Sequence, residues 1–139
     1  MRALVIDGQG GQLGAGLVKE ILSKFPEVEL TAVGTNAIAT TAMLKAGAQN
    51  CATGENSVAV AARTADVIIG PIGIVVADSM LGEVTPKIAL SVGRAAAIRI
   101  LIPMNRCENL VAGVSAQNTS QLISDALSKL GAVIESSKT

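Results

Sequence analysis

A glycine-rich turn directly behind the first predicted strand constrains the fold of this chain more than any other feature. The predicted strand at residues 4–7, Leu-Val-Ile-Asp, leads into the turn, and the amphipathic run 17–25 follows it. Glycines let the backbone turn sharply and approach an anion, and a helix N-terminus offers free N–H groups and about half a positive charge. The order of strand, turn and helix therefore predicts a site for a phosphate-bearing ligand. The glycines of the turn are Gly8, Gly10, Gly11 and Gly14.

The residue types that are missing exclude several kinds of chemistry. The chain has no His, Tyr or Trp, and its one aromatic residue is Phe25. Imidazole general-base catalysis, His-ligated metal sites and Tyr proton donors are thereby excluded. Eleven basic residues balance eleven acidic ones, and base stacking on aromatic side chains is nearly impossible. We expect a small-molecule partner rather than nucleic acid or a membrane surface.

Length and hydrophobicity favour one domain that associates with further copies. A chain of 139 residues suits a single domain over residues 1–139. Half of the residues are hydrophobic and 16% are charged, which is few for coating a small globule. The run 72–81 is apolar around most of a predicted helix, and one sheet face covers only a stripe of such a helix. We therefore expect a homo-oligomer, most simply a dimer.

The chain shows no signal for export or membrane insertion. Met1 runs into a predicted strand without a basic region or a cleavage site. The most apolar stretch, 67–81, is interrupted by Gly70 and Asp78 and is shorter than the roughly 20 residues that a spanning helix needs. These observations predict a cytoplasmic protein in which Cys51 and Cys107 are reduced thiols.

Strand and helix patterns alternate along the chain. This alternation predicts an α/β fold with a doubly wound, mostly parallel, Rossmann-like sheet. Too few residues separate the last two strands for a parallel crossover, so the last one is predicted to be an antiparallel edge strand. The predicted strands cover residues 4–7, 28–33, 48–52, 67–69, 98–102 and 110–114, and the predicted helices cover 17–25, 37–46, 55–64, 74–81, 87–96 and 120–130. Thr85 is the predicted N-cap before the helix at 87–96, with Pro86 at the first helical position.

The predicted topology brings several loops to one edge of the sheet. In open α/β sheets ligands bind beyond the carboxyl ends of the strands, where the strand order reverses. Arg106 is the one guanidinium expected there, either for contact with a phosphate or as a solvated turn residue. The candidate binding residues are Asp7, Gly8, Gly10, Gly11, Gly14, Asn36, Thr53, Gly54, Glu55, Asn56, Gly70, Gly73, Asn105 and Arg106.

Several of these positions have a structural alternative. Asp7 either turns back to bind the N–H groups of its own loop or faces a phosphate through a bridging Mg²⁺. Asn36 either caps the next helix or binds a ligand hydroxyl. Residues 53–56 begin a helix or form a second anion-binding loop, and residues 70–73 form a tight turn or lie close to a flat ligand. The glycines themselves also suit close packing of the first helix.

The spacing of Gly8, Gly11 and Gly14 resembles the turn of the extended short-chain dehydrogenase and epimerase families. That resemblance implies a bound nucleotide or NAD(P). It cannot carry the catalysis of those families, because their enzymes use a Tyr and this chain has none. NAD sites also place an acid at the end of the second strand, and NADP sites place an Arg nearby, where this chain has residues 34–36, Gly-Thr-Asn.

Over nearly its full length the chain resembles an uncharacterised bacterial family known as a domain of unknown function with a Rossmann-like sheet. The resemblance implies that fold and no activity. The matching stretches are residues 5–11, 34–37, 44–48, 52–56, 70–74, 79–83 and 102–107.

Three functions remain open from the sequence. The first is a nucleotide- or phosphometabolite-binding sensor or accessory subunit without self-contained catalysis. The second is a small nucleotide-dependent enzyme of unassigned reaction, which the grouping of Asp7, Glu55, Asn105 and Arg106 favours. The third is an oligomeric structural protein with a vestigial site.

Overall fold

A computed structural model describes residues 1–104 and 109–138. It has five parallel strands in the order β3-β2-β1-β4-β5, and an α-helix follows each strand along the chain, preceded after β4 by a short 3₁₀ helix. The strands are β1 Arg2–Asp7, β2 Glu29–Gly34, β3 Asn50–Thr53, β4 Val67–Pro71 and β5 Ile98–Ile102. The helices are α1 Gln12–Lys24, α2 Ala37–Lys45, α3 Glu55–Ala62, α4 Pro86–Arg94 and α5 Thr119–Ser137, and the 3₁₀ helix is Ile72–Val75.

The strand order reverses between β1 and β4. The chain moves outward from β1 to β2 and β3, and then returns to place β4 on the other side of β1. Strand β5 pairs with β4 and forms the edge. A crevice therefore opens beyond the carboxyl ends of β1 and β4, where open α/β sheets bind their ligands.

Each face of the sheet carries its own hydrophobic core. Successive side chains of a strand point to opposite faces, so Val5 belongs to one core and Ile6 to the other. Helices α1, α2 and α5 complete the first core, and α3 and α4 complete the second. Because both faces are covered, β1 and β4 are apolar nearly throughout.

Polar side chains fix the starts of several helices. The side-chain oxygen of Asn36 accepts a hydrogen bond from Ala39 N–H at the start of α2. Thr85 caps α4 through Ile88 N–H, with Pro86 at the first helical position, as the sequence predicts. These caps satisfy N–H groups that have no partner inside the helix.

The predicted antiparallel edge strand at residues 110–114 is wrong. Residues 109–118 contain no strand, and the sheet formed by the described residues is entirely parallel. The apolar residues of this segment have no buried face, since Leu110 is fully exposed and Gly113 has a φ of +84° that interrupts an extended conformation. A short apolar run without a covered side does not hold a strand in place.

The predicted helix at residues 74–81 is also wrong. After the 3₁₀ helix the chain forms successive turns, with positive φ at Asp78, Met80 and Leu81. Asp78 N–H donates to the carbonyl of Val84 at 2.7 Å and closes the loop on itself. Local hydrogen bonds of this kind compete with a helix.

Two helices extend beyond their predicted bounds. Helix α1 begins inside the glycine turn, directly after Gly11. Helix α5 continues through Gly131 to Ser137, although a glycine there suggests a helix end. A Cβ at residue 131 would lie 3.4 Å from the ring of Phe25, an ordinary contact distance, so α5 packs next to the residue that follows α1.

Candidate functional site

A cleft of about 990 Å³ lies beyond the carboxyl ends of β1, β4 and β5. One wall is the glycine turn, and the others are Pro71, Met80 with Leu81, Pro103 with Met104, and parts of residues 109–122. The cleft therefore occupies the position where the strand order reverses. Asp7, Gly8, Gly10 and Gly11 of the predicted site line it.

The glycines of the turn serve different purposes. Gly11 has a φ of +74°, and a Cβ there would lie 2.6 Å from the Cα of Ala39 in α2. A Cβ at Gly14 would lie 2.7 Å from the Cβ of Asp7. Gly10 has nothing within 4 Å of its Cβ position. Packing thus requires Gly11 and Gly14, whereas Gly10 faces open space.

Three N–H groups at the start of α1 have no hydrogen-bond acceptor among the described residues. They belong to Gly10, Gln12 and Leu13, all of which line the cleft. The N–H of Gly11 is bound to the carbonyl of Gly8 at 2.9 Å. Free N–H groups at the positive end of a helix dipole bind anions.

Asp7 braces the turn with both of its carboxylate oxygens. One oxygen accepts Gly8 N–H at 2.8 Å, and the other accepts Gly14 N–H at 2.7 Å. The side chain is buried, and burial raises its pKa above the ordinary 3.8 against the opposing effect of these hydrogen bonds, while the charge of Glu83 raises it further. Of the two predicted roles for Asp7, the structure shows the one in which it binds its own loop.

Glu83 ties the turn to the end of β2. One of its carboxylate oxygens accepts three hydrogen bonds, from Gln9 N–H at 2.8 Å, the Thr35 hydroxyl at 2.7 Å and the Asn36 side-chain amide at 2.7 Å. Partial burial acts to raise the pKa of Glu83, but these bonds outweigh it, so the pKa lies below the ordinary 4.5. The folded protein therefore stabilises the ionised form of the Glu83 carboxylate.

We expect a Glu83→Gln variant to lose about 1 kcal/mol of unfolding free energy at pH 7, because hydrogen bonds to a charged acceptor are stronger than those to an amide. A lowered pKa means that this contribution is present in full above pH 4.5 and is lost as the pH falls through the folded-state pKa. Urea denaturation of both proteins between pH 7 and pH 3 measures the difference.

The matched control for this experiment is Glu27→Gln. Glu27 is exposed and has no hydrogen bond or ion pair among the described residues. Its replacement should leave stability unchanged within about 0.5 kcal/mol. A Glu83→Gln difference that stays constant down to pH 3 would show that the carboxylate charge does not matter.

The remaining predicted site residues lie away from the cleft or outside the described residues. The Thr53 hydroxyl lies 2.6 Å from that of Thr40, and Gly54 is the N-cap residue of α3, where Glu55 and Asn56 form the first turn. None of the residues 53–56, nor Asn36, lines the cleft. Asn105 and Arg106 lie outside the described residues, so the predicted convergence on Arg106 stays a prediction.

The predicted Gly70 and Gly73 have mainly structural roles. A Cβ at Gly70 would collide with the carbonyl oxygen of Ile6, so this glycine lets β4 approach β1 closely. Gly73 is buried in the 3₁₀ helix, and its carbonyl accepts the Ser79 hydroxyl at 2.6 Å. Neither lines the cleft, although Pro71 between them does.

Sequence reasoning missed Glu83, Met80 and Leu81 as part of the site. They lie in or just after a segment predicted to be a helix, and nothing in their spacing indicates that they return to the glycine turn. One signal points to them, because residues 79–83 form one of the stretches that carry the family resemblance.

Within residues 1–104 and 109–138 no group of three or more His, Cys, Asp and Glu side chains is arranged to hold a metal ion. No helix in the same residues is long and apolar enough to cross a membrane. Cys51 is a free thiol whose pKa is raised by burial, which disfavours the reactive thiolate. Cys107 lies outside the described residues.

Comparisons with known proteins match the chain to a family and do not assign a ligand. Residues 2–135 match the model of a family described as a domain of unknown function, DUF3842. None of the curated proteins compared with the chain matches it significantly. A dodecameric FMN-dependent Ubix-like decarboxylase from Escherichia coli O157:H7 is similar in structure, with 20% identity and a TM-score of 0.46, covering 94% of this chain and 77% of that one.

Proposed function

We propose that the chain, which belongs to the DUF3842 family, binds a phosphate-bearing small molecule at the start of α1. The observation that carries this proposal is the set of three N–H groups, on Gly10, Gln12 and Leu13, that lack an acceptor among the described residues and line a cleft of about 990 Å³. Gly10 and Gln12 are exposed to the cleft, whereas Leu13 is buried. N–H groups that have no partner at a helix start favour an anion.

The role of Asp7 supports the same proposal. A free carboxylate about 8 Å from a phosphate would cost on the order of 2 kcal/mol at an effective dielectric near 20. Asp7 directs both oxygens to backbone N–H groups of its own loop. The repulsion that the sequence suggests is thereby reduced.

We do not propose a catalytic activity for this site. Both oxygens of Asp7 are engaged by backbone N–H groups, and it is the one acidic or basic side chain among the described residues that line the cleft. A general base needs to reach the proton that it removes. A binding protein that acts as a sensor or as an accessory subunit fits this arrangement better than a self-contained enzyme does.

Gly10→Asp tests the phosphate site. A side chain at residue 10 meets no atom within 4 Å, so the variant should fold normally while its carboxylate competes for the free N–H groups. We expect the affinity for inorganic phosphate, measured by calorimetric titration, to fall about tenfold or more, since a charge at 8 Å contributes about 2 kcal/mol at a dielectric near 20.

Gly10→Ala is the matched control, because it adds a methyl group at the same open position without a charge. Its affinity for phosphate should stay within about twofold of the natural protein. Thermal melting followed by circular dichroism checks that both variants are folded. Equal phosphate binding by Gly10→Asp and the natural protein would refute the site.

The homo-oligomer and the cytoplasmic location stay predictions from the sequence. Ile74, Ile88 and Val92, which contribute to the apolar surplus behind the expected dimer, are buried within a single chain. Leu81 and Leu90 remain exposed and are the residues on which an association through this region would depend.

A further inference from the structure

We infer that the ligand is a phosphate monoester with an apolar body that lies over β4 and β5, and that a dinucleotide cannot bind in the manner usual for this fold. The inference rests on the proposed phosphate site and names the class of ligand that it takes. Two observations support it. Glu83 of the chain itself occupies the site beside the end of β2, and apolar side chains line the cleft near the ends of β4 and β5.

The chain's own residues occupy the β2 side of the turn. In doubly wound sheets the ribose of a dinucleotide binds beside the first turn and the end of β2. The polar groups there, Gln9 N–H, the Thr35 hydroxyl and the Asn36 amide, are all bound to Glu83. A ribose in this position would have to compete with a carboxylate that already holds these three donors.

Residues 78–84, which carry Glu83 to the end of β2, are held in position by burial and by hydrogen bonds. Val84, next to Glu83, is fully buried in the core formed with α3 and α4. The Ser79 hydroxyl and the Asp78 N–H bind the carbonyls of Gly73 and Val84 at 2.6 and 2.7 Å. These contacts hold the backbone of residues 78–84 next to the turn, so the Glu83 carboxylate is positioned to occupy the β2 side.

Met80 also blocks the β2 side of the turn, because it packs against Gly8. The sulfur of Met80 lies 2.6 Å from the position that a Cβ would take on Gly8, so the segment covers the first glycine of the turn. The cleft accordingly includes no residue from the ends of β2 and β3 and extends instead toward Pro71 and Pro103, which lie at the ends of β4 and β5.

The open side of the cleft carries large apolar side chains as well as polar ones such as Ser115, Gln117 and Thr119. Its walls include Met80, Pro103 and Met104, together with Leu81 and Leu110, whose side chains are exposed by 98% and 100%. Covering exposed apolar side chains with an apolar group is favourable in proportion to the area buried. The body of the ligand is therefore apolar.

The charge that the described residues supply suits a single phosphate. Among the described residues that line the cleft there is no Lys or Arg, and the one charged type is Asp7, whose oxygens are turned to the backbone. The helix start contributes about half a positive charge, which suits one phosphate better than a diphosphate. The volume of about 990 Å³ is at the upper end of the usual range for small-molecule sites.

Calorimetric titration of the whole chain with four probes tests this inference. The probes are inorganic phosphate, 1-naphthyl phosphate, NAD⁺ and NADP⁺. We expect 1-naphthyl phosphate to bind about tenfold more tightly than inorganic phosphate, because the naphthyl group buries apolar area. NAD⁺ and NADP⁺ should bind no more tightly than inorganic phosphate.

Leu81→Asn separates the apolar contact from the phosphate contact. Residue 81 has a φ of +57°, which Asn tolerates better than Leu, so the variant should remain folded. It should weaken 1-naphthyl phosphate at least about threefold and leave inorganic phosphate unchanged. The control is Val60→Asn, which changes a side chain exposed by 48% on α3, away from the residues that line this cleft, and should alter neither affinity.

The outcomes distinguish this inference from the proposed function. If NAD⁺ binds more tightly than 1-naphthyl phosphate, and Gly10→Asp weakens both, the phosphate site stands and the inference is overturned. The inference is likewise overturned if Leu81→Asn leaves the preference for 1-naphthyl phosphate unchanged. If none of the four probes binds, or if Gly10→Asp has no effect on any of them, both the inference and the proposed function are overturned.

Discussion

Replacement of Asp7 by Ala is expected to lower the free energy of unfolding by about 3 kcal/mol, because two buried N–H groups lose their acceptors and each such loss costs about 1–3 kcal/mol. These are Gly8 N–H and Gly14 N–H, bound at 2.8 and 2.7 Å. Relief from burying a carboxylate offsets part of the loss. Urea denaturation at pH 7 measures the change.

The pH dependence of this loss should be opposite to that of Glu83. Burial raises the pKa of Asp7, so its contribution to stability is full below pH 3.8 and decreases as the pH rises through the folded-state pKa. The deficit of Asp7→Ala should therefore grow as the pH falls from 7, whereas the deficit of Glu83→Gln should shrink. Stability deficits that change in opposite directions with pH in the two variants would distinguish the contribution of Asp7 from that of Glu83.

Asp66→Ala is the matched control for Asp7→Ala. Asp66 also accepts a backbone N–H, that of Arg2 at 2.7 Å, but this hydrogen bond is exposed at the opposite end of β1. Water replaces the lost acceptor there, so the loss should stay below about 1 kcal/mol. Equal losses at Asp7 and Asp66 would show that burial of the turn is not what makes Asp7 important.

The parts of the fold that the sequence predicts correctly are those that depend on local signals. The Asn36 and Thr85 caps, the strand at 98–102 and the helix after Pro86 all lie close to their predicted positions. A cap needs an oxygen and an N–H three residues apart, and a buried strand needs an apolar run. Caps and buried strands can both be predicted from a few consecutive residues.

The errors occur where contacts distant in sequence decide the structure. Residues 110–114 have strand-like composition but find no covered side, and residues 74–81 have helical composition but fold into turns. Gly131 suggests a helix end, yet α5 continues past it to Ser137 and buries Ile134 in the core. No local pattern contains these partners.

In the candidate site, too, the features that depend on neighbouring residues are predicted and those that depend on distant residues are not. The sequence locates the glycine turn, and the observed role of Asp7 is one of the two alternatives that it predicts, since both features depend on neighbouring residues. It does not locate Glu83, which reaches Gln9 over 74 positions and Asn36 over 47. The sequence has no acid at the end of β2, yet the fold brings a carboxylate there from a distant segment.

Gly11→Val is expected to lower the free energy of unfolding by about 4 kcal/mol or to prevent folding. Residue 11 has a φ of +74°, which costs a residue with a Cβ about 1–2 kcal/mol and a β-branched residue more. The new Cβ would also lie 2.6 Å from the Cα and 2.9 Å from the carbonyl oxygen of Ala39. Those are backbone atoms of α2, so relief requires moving the whole helix.

Gly10→Val is the matched control, with the same substitution one residue earlier. Its side chain would point into open space without a positive φ, so its stability should change by less than about 1 kcal/mol. The pair is measured by chemical denaturation, with soluble yield as a second readout for Gly11→Val. If both variants are equally stable, packing of the turn against α2 is not the reason for Gly11. If only Gly11→Val is destabilised, Gly10 is the residue of the turn that can be changed to study the ligand without disturbing the fold.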